Sequence, residues 1–294
     1  EPLWTMVHVV TLGVLTNGIL QWSWYFTRTL LRLPPDDRRS GRDATVRVIV
    51  FNIALVGLVI AMWTASTVGT VAMATAIGVV IAWHGLALLR AARTKLASRF
   101  AVVIRFYVAA AAFLVVGCAL AGFITVAMFS VSAPQWLLDA RDDLTVAHAI
   151  VNVGGWIGLS ITGTLVTLGP TMLRTRMEPL AVERAVAALP WLVAGIAGAA
   201  LAACFGWLPG IGIGLLVFIA AVVPGVVLPL VRTGLAKSPS TYAPWTMTAG
   251  LTWVCIGLVG LGVLTVGALG GVQHALYRRT NRRFNVGLLG ATAA

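Results

Sequence analysis

The sequence predicts an all-α fold, a polytopic membrane bundle of about eight transmembrane helices, on three observations. Of 294 residues, 59% are hydrophobic and only 10% charged, against about 25% charged in a soluble domain. Stretches such as Thr45–Ser66, Thr70–Leu89, Phe106–Phe129, Trp191–Phe205 and Trp253–Leu269 are apolar over most or all of the ~20 residues that cross a bilayer. Between them the basic residues cluster in alternate connections, the pattern of topology signals. Membrane lipid is the expected partner, and no nucleic acid.

Segmentation at Pro/Gly clusters and charge runs places the spans at about 3–27, 46–66, 68–90, 104–129, 144–169, 182–206, 209–232 and 243–270. Each is a helix because a spanning segment must satisfy its own backbone. The chain opens on Glu1 and the first span starts at Leu3, so a natural start upstream is expected; no signal-peptide pattern is visible.

Span 1 carries His8 in its first turns, then Asn17, and at its inner end Gln21, Trp22, Trp24 and Tyr25. Aromatics at that depth anchor a helix at the interface, or wall a quinone headgroup site with Gln21 as donor. The loop from Arg28 to Arg47 holds six arginines, span 2 holds Asn52, and span 3 holds His84 beside Trp83. A basic turn follows with Arg90, Arg93, Lys95, Arg99 and Arg105, then span 4 with Cys118. The connection to span 5 carries a single Arg141 beside Asp139, Asp142 and Asp143, and span 5 carries His148 and Asn152. Arg174, Arg176 and Arg184 lead into span 6, a Gly-Trp-Leu-Pro-Gly turn into span 7, and Arg232 with Lys237 into span 8. Cys118, Cys204 and Cys255 lie inside spans without CxxC spacing, as small core residues rather than a disulfide framework or zinc site.

Sixteen of the 21 basic residues fall on one side. That side is expected to be cytoplasmic, with the start of span 1 and the C-terminal tail outside a plasma membrane. The tail's Arg278, Arg279, Arg282 and Arg283 run against this pattern.

The chain also repeats itself. Gly117, Gly122, Thr125 and Val126 recur as Gly257, Gly262, Thr265 and Val266, each displaced by 140. His8 and Gly18 recur as His148 and Gly158 at the same displacement, Arg90 and Lys95 as Arg232 and Lys237 at 142, and Arg47 as Arg184 at 137. The expected organisation is a four-helix repeat at 1–135, a second at 136–270 and a basic extracytoplasmic tail at 271–294. Four spans per repeat leave both halves in one orientation, related by an axis along the membrane normal that sets equivalent residues at one depth.

His8 and His148 become pseudo-symmetric in this scheme. Two imidazoles at equal depth suit a bis-His haem b or a copper ion; the other reading is that each merely hydrogen-bonds a neighbouring helix. His84 has no histidine counterpart, since Val226 stands in its place. It is a further haem-ligand candidate or a satisfied histidine beside Trp83. His274 follows span 8 and either completes an outer metal site or is a solvated juxtamembrane histidine. Met6, Met62, Met73 and Met128 map to outer span ends, where thioethers relay Cu(I) or simply fill gaps. None of the nine acidic residues lies mid-span, which weighs against ion-coupled transport. No phosphate loop, HExxH or Ser–His–Asp pattern is present, so no catalytic residue is assigned. Asn17, Asn52 and Asn152 suit helix–helix hydrogen bonds.

The runs His8-Val-Val-Thr-Leu-Gly-Val-Leu-Thr-Asn17-Gly-Ile-Leu-Gln-Trp22-Ser-Trp24 and His148-Ala-Ile-Val-Asn152-Val-Gly-Gly155-Trp156-Ile-Gly158, continuing through Gly163-Thr164 to Pro170 and Arg174, resemble the N-terminal membrane domain of actinobacterial multicopper oxidases related to copper-containing nitrite reductases. In that family the membrane domain precedes extracytoplasmic cupredoxin domains. The spacing of His148, Gly155 and Trp156 is also similar to the histidine helix of haem–copper oxidase subunit I, which implies His148 as an axial haem ligand. Those oxidases use about six histidines for two haems and a copper, whereas this chain has four, enough for one haem or one metal. The cupredoxin copper ligands are absent, so the chain is either trimmed after Ala294 or a free-standing relative. The resemblance implies a membrane anchor and electron-transfer domain of an oxidoreductase, passing electrons from quinol through haem b to an extracytoplasmic cupredoxin, in a homotrimer. The alternatives are a transporter or channel for copper or another small solute, and a purely structural anchor.

Overall fold

Lipid offers the backbone no hydrogen-bond partner, and the chain answers with helices throughout. The computed structural model describes residues 2–33, 38–93, 101–236 and 241–291, with side chains over 3–33, 41–93, 101–234, 241–242 and 244–267. Among the described residues there is no strand, and eight helices are long and apolar enough to cross a membrane. They are span 1 (Leu3–Leu30), span 2 (Gly41–Trp63), span 3 (Thr67–Arg93), span 4 (Ala101–Phe129), span 5 (Arg141–Met172), span 6 (Ala181–Cys204), span 7 (Leu208–Gly234) and span 8 (Pro244–Gly267). The protein is thus an all-α polytopic bundle with the eight spans expected. The bundle end carrying Leu3, Trp63, Phe129 and Arg141 is called the outer end below, after the expected orientation.

Successive spans from 2 to 8 pack on one another, and span 1 lies across spans 2, 3 and 4. The core runs through the middle of this chain of contacts, with Phe51, Ile81, Phe106, Trp156, Leu192 and Ile196 buried. Spans 6 and 7 meet backbone to backbone. A Cβ added to Gly195 would stand 2.7 Å from the Gly214 carbonyl, and one added to Gly214 would stand 2.6 Å from Ala199 N. Small residues permit such close approach where lipid supplies no hydrophobic drive. Span 8 is different. It packs on span 7 through Gly212 and Gly262, and only 6% of its most apolar stretch is buried.

Four helix ends close with the same turn. Arg32, Ala65, Arg174 and Gly206 adopt positive φ of 50°, 49°, 53° and 61°. The next residue's N–H in each case reaches back to a carbonyl five positions earlier, as in Leu33 to Arg28 and Thr175 to Pro170, the closure that satisfies a helix's last carbonyls. Arg32 and Arg174 lie 142 residues apart, Ala65 and Gly206 141. The starts of spans 2 and 6 are likewise separated by 140 residues, and those of spans 3 and 7 by 141.

Two local features differ from the sequence-based expectation. The basic loop expected over 28–47 is shorter, because the second helix already runs from Arg38 to Trp63; Arg47 is therefore helical, and it is buried. Spans 1, 5 and 7 also each contain a π-helical segment, Val9–Thr16, Ile150–Gly158 and Val223–Val227, where unbroken α-helix was expected.

Candidate functional site

Both π-helical segments near the outer end begin just after a histidine. His8 closes the helix Pro2–His8, and His148 sits one residue before the end of Arg141–Ala149. A π turn holds an extra residue, so the backbone beyond it is rotated relative to the part before. Thr16 Oγ supports the first segment by donating to the Thr11 carbonyl at 2.9 Å.

The two imidazoles face one another, with ring centroids 6.2 Å apart and planes inclined by 29°. His8 Nδ1 donates to the Trp4 carbonyl at 2.9 Å, and His148 Nδ1 to the Gly117 carbonyl at 2.9 Å. A carbonyl only accepts, so each Nδ1 carries the proton and each Nε2 keeps its lone pair. A metal-ligating histidine is oriented in the same way, its other ring N–H held by a carbonyl.

Around the pair lies a cavity of about 430 Å³, bounded by spans 1 to 5. Its walls include Trp4, Met62, Cys118, Met128 and Trp156 besides the histidines, and Arg141 and Asp142 stand on its rim, paired with each other at 2.9 Å. Among the described residues no three His, Cys, Asp or Glu converge on one point. A bare ion of the zinc type takes three or four protein ligands, whereas a haem brings its own four equatorial nitrogens and asks the protein for two axial ones. The two histidines match that demand in number and in the proton held on each Nδ1. One contact competes with it: Asn152 Nδ2 donates to His148 Nε2 at 3.0 Å, while Asn152 Oδ1 is buried without a partner. For His148 Nε2 to hold a metal or haem, this amide would have to turn away.

A second pair of positions 140 residues apart meets below the histidines. Trp156 Nε1 donates to Thr16 Oγ at 3.0 Å, with both residues buried. This bond ties span 1 to span 5 at the cavity floor. Asn17 and Asn52 exchange two amide hydrogen bonds, at 3.0 and 2.8 Å, and fix span 1 to span 2.

The remaining sequence-based candidates lie elsewhere. His84 is buried at the other end of the bundle, its Nε2 2.9 Å from Ser23 Oγ, and it does not line the cavity. Gln21 is exposed and donates to the Asn17 carbonyl at 3.3 Å. Trp22 is exposed and stacks on Phe26 at 5.6 Å. Trp24, two residues on, lies instead on Arg47, whose guanidinium carbon is 4.9 Å from the Trp24 ring and 5.4 Å from Trp83. Trp22 and Trp24 thus pack on different neighbours, Phe26 and Arg47. Met62 and Met128 line the histidine cavity, while Met6 is exposed and Met73 packs on Gly57. The side chain of His274 lies outside the described residues.

Sequence reasoning missed the Thr16–Trp156 bond, the Gly117 carbonyl and the Arg47 stack. The 140-residue displacement pointed to the first, but Thr and Trp are unlike residues and a search for identities passes over them. Comparison with protein-family models, curated proteins and solved structures returned no match to the chain.

Proposed function

We propose that this protein is the membrane electron-transfer domain of an oxidoreductase, holding one haem b between His8 and His148 at the outer end of the bundle. The observation that carries the reading is the geometry of the pair: both Nδ1 atoms locked on carbonyls, both Nε2 atoms left with lone pairs, and ring centroids 6.2 Å apart. Bound there, haem supplies a one-electron relay. His8 and His148 would hold it, Trp4, Met128 and Trp156 would keep water from the site, and Arg141 would offer a cation at the rim. The donor in this reading is a quinol and the acceptor an extracytoplasmic cupredoxin, as the family resemblance implies.

The test is a reduced-minus-oxidised spectrum with haem and metal analysis of the purified chain. One b-type haem per chain is expected, lost in His8→Ala or His148→Ala and kept in His84→Ala. Absence of haem from protein made with ample haem supply would overturn the proposal. A second reading has its own observation, since Met62 and Met128 line the same cavity as the histidines, a soft set suited to Cu(I). It predicts one copper per chain, no haem, and loss of copper in the Met62→Leu/Met128→Leu double variant. A chain that holds neither is a structural anchor.

A further inference from the structure

A groove of about 630 Å³ lies between spans 6 and 7, at the opposite end of the bundle from the histidine site. Small residues line it, Ala187, Ala188, Ala220 and Ala221, with Trp191 forming part of the wall. The π-helical segment Val223–Val227, with Pro224 and Gly225 on the groove, interrupts span 7 alongside. From Arg232 to Val217 the lining follows about 22 Å of helix, enough to accompany an acyl chain through a leaflet of about 15 Å.

The charges sit at one end. Among the described residues, Arg184 and Arg232 are the only charged groups lining the groove. Glu178 lies beside them, accepting from Arg184 Nη1 at 3.1 and 3.2 Å and from Arg232 Nη1 at 3.2 Å. One carboxylate against two guanidiniums leaves a net positive charge at the head of an apolar groove, and the Arg232 side chain is 50% exposed.

We propose that this groove binds one anionic phospholipid, its phosphate at Arg184 and Arg232 and an acyl chain along the alanine-lined wall. Guanidinium–phosphate hydrogen bonds are charge-assisted, and basic pockets between transmembrane helices recognise anionic headgroups. The proposal is independent of the histidine site.

The test titrates the detergent-purified chain with phosphatidylglycerol, phosphatidylcholine and inorganic phosphate, reading bound lipid by native mass spectrometry. Phosphatidylglycerol should bind in preference to phosphatidylcholine, and inorganic phosphate should not displace it. Arg232→Gln should weaken binding about fivefold, the worth of one basic residue at an anionic surface. Ala220→Phe, which fills the groove and keeps both arginines, should weaken phosphatidylglycerol binding as well. Equal binding of the two lipids overturns the proposal. So does displacement by inorganic phosphate, which marks a site for free anions, or unchanged phosphatidylglycerol binding in the folded Ala220→Phe protein.

Discussion

Three polar contacts hold the residues that matter at fixed depth. The Thr16–Trp156 bond is buried at both ends, so Thr16→Val leaves the indole N–H without a partner at a cost of about 1–3 kcal/mol. A thermal melt in detergent should show this loss, and Thr16→Val/Trp156→Phe, which removes both partners, should lose less than the sum of the single changes. The Asn17–Asn52 exchange is equally local and was legible, since asparagines inside apolar spans have few other uses. Arg47 was not legible. As a residue of a basic run it read as a solvated topology signal, yet it is 2% exposed and stacked between Trp24 and Trp83. Nothing in a linear pattern reveals that a neighbouring helix brings indole faces to a guanidinium. Arg47→Ala should cost about 2 kcal/mol by the same melt, the worth of a desolvated cation–π contact. Arg47→Lys should recover only part of that, because an ammonium lacks the planar face that stacks.

Element boundaries were read to within a few residues wherever charge or Pro/Gly marked them, as at Arg141 and Leu208. They were misread at the start of span 2, where Arg38 to Arg47 extends the helix below the apolar stretch. The π-helical segments were invisible, because the same apolar residues suit either winding and only packing selects one. Turn chemistry was half visible: Gly206 suits its positive φ, but Arg32, Ala65 and Arg174 adopt it as L-residues held by the backbone closure behind them. Glycines divide by what they touch. Gly214→Val should disrupt the backbone contact of spans 6 and 7, with a loss of about 1–3 kcal/mol in the melt. Gly257→Ala, with nothing within 4 Å of its Cβ position, should be neutral or stabilise span 8 by up to about 1 kcal/mol. Equal losses in both variants would contradict the packing described for these spans.

At the scale of the whole molecule, similar helix lengths and turns recur about 140 residues apart, yet equivalent positions meet different fates. Arg47 is sealed between indoles, whereas Arg184, which aligns with it in the repeat, opens onto the groove of spans 6 and 7. The Gly117 carbonyl accepts from His148, whereas Gly257 on span 8 faces open space and His8 bonds within its own helix. The orientation is testable on intact cells with a membrane-impermeant thiol reagent. Ser132→Cys, in the connection between spans 4 and 5, should label, and Arg176→Cys, between spans 5 and 6, should label only after permeabilisation; the reverse result would invert the topology.

The sequence by itself determined that the chain crosses a membrane as eight helices, because hydrophobic length and the self-sufficiency of helical backbone are properties of each segment alone. It also singled out His8 and His148, since an internal displacement is written in the chain. Only the tertiary structure decided that these two imidazoles stand 6.2 Å apart over a shared cavity, that His84 bonds Ser23 instead, and that one basic residue is buried while its counterpart lines a groove. Each of those outcomes depends on which face one helix turns toward another. That choice is made by small-residue contacts, π turns and hydrogen bonds between segments far apart in sequence, and no single segment contains it.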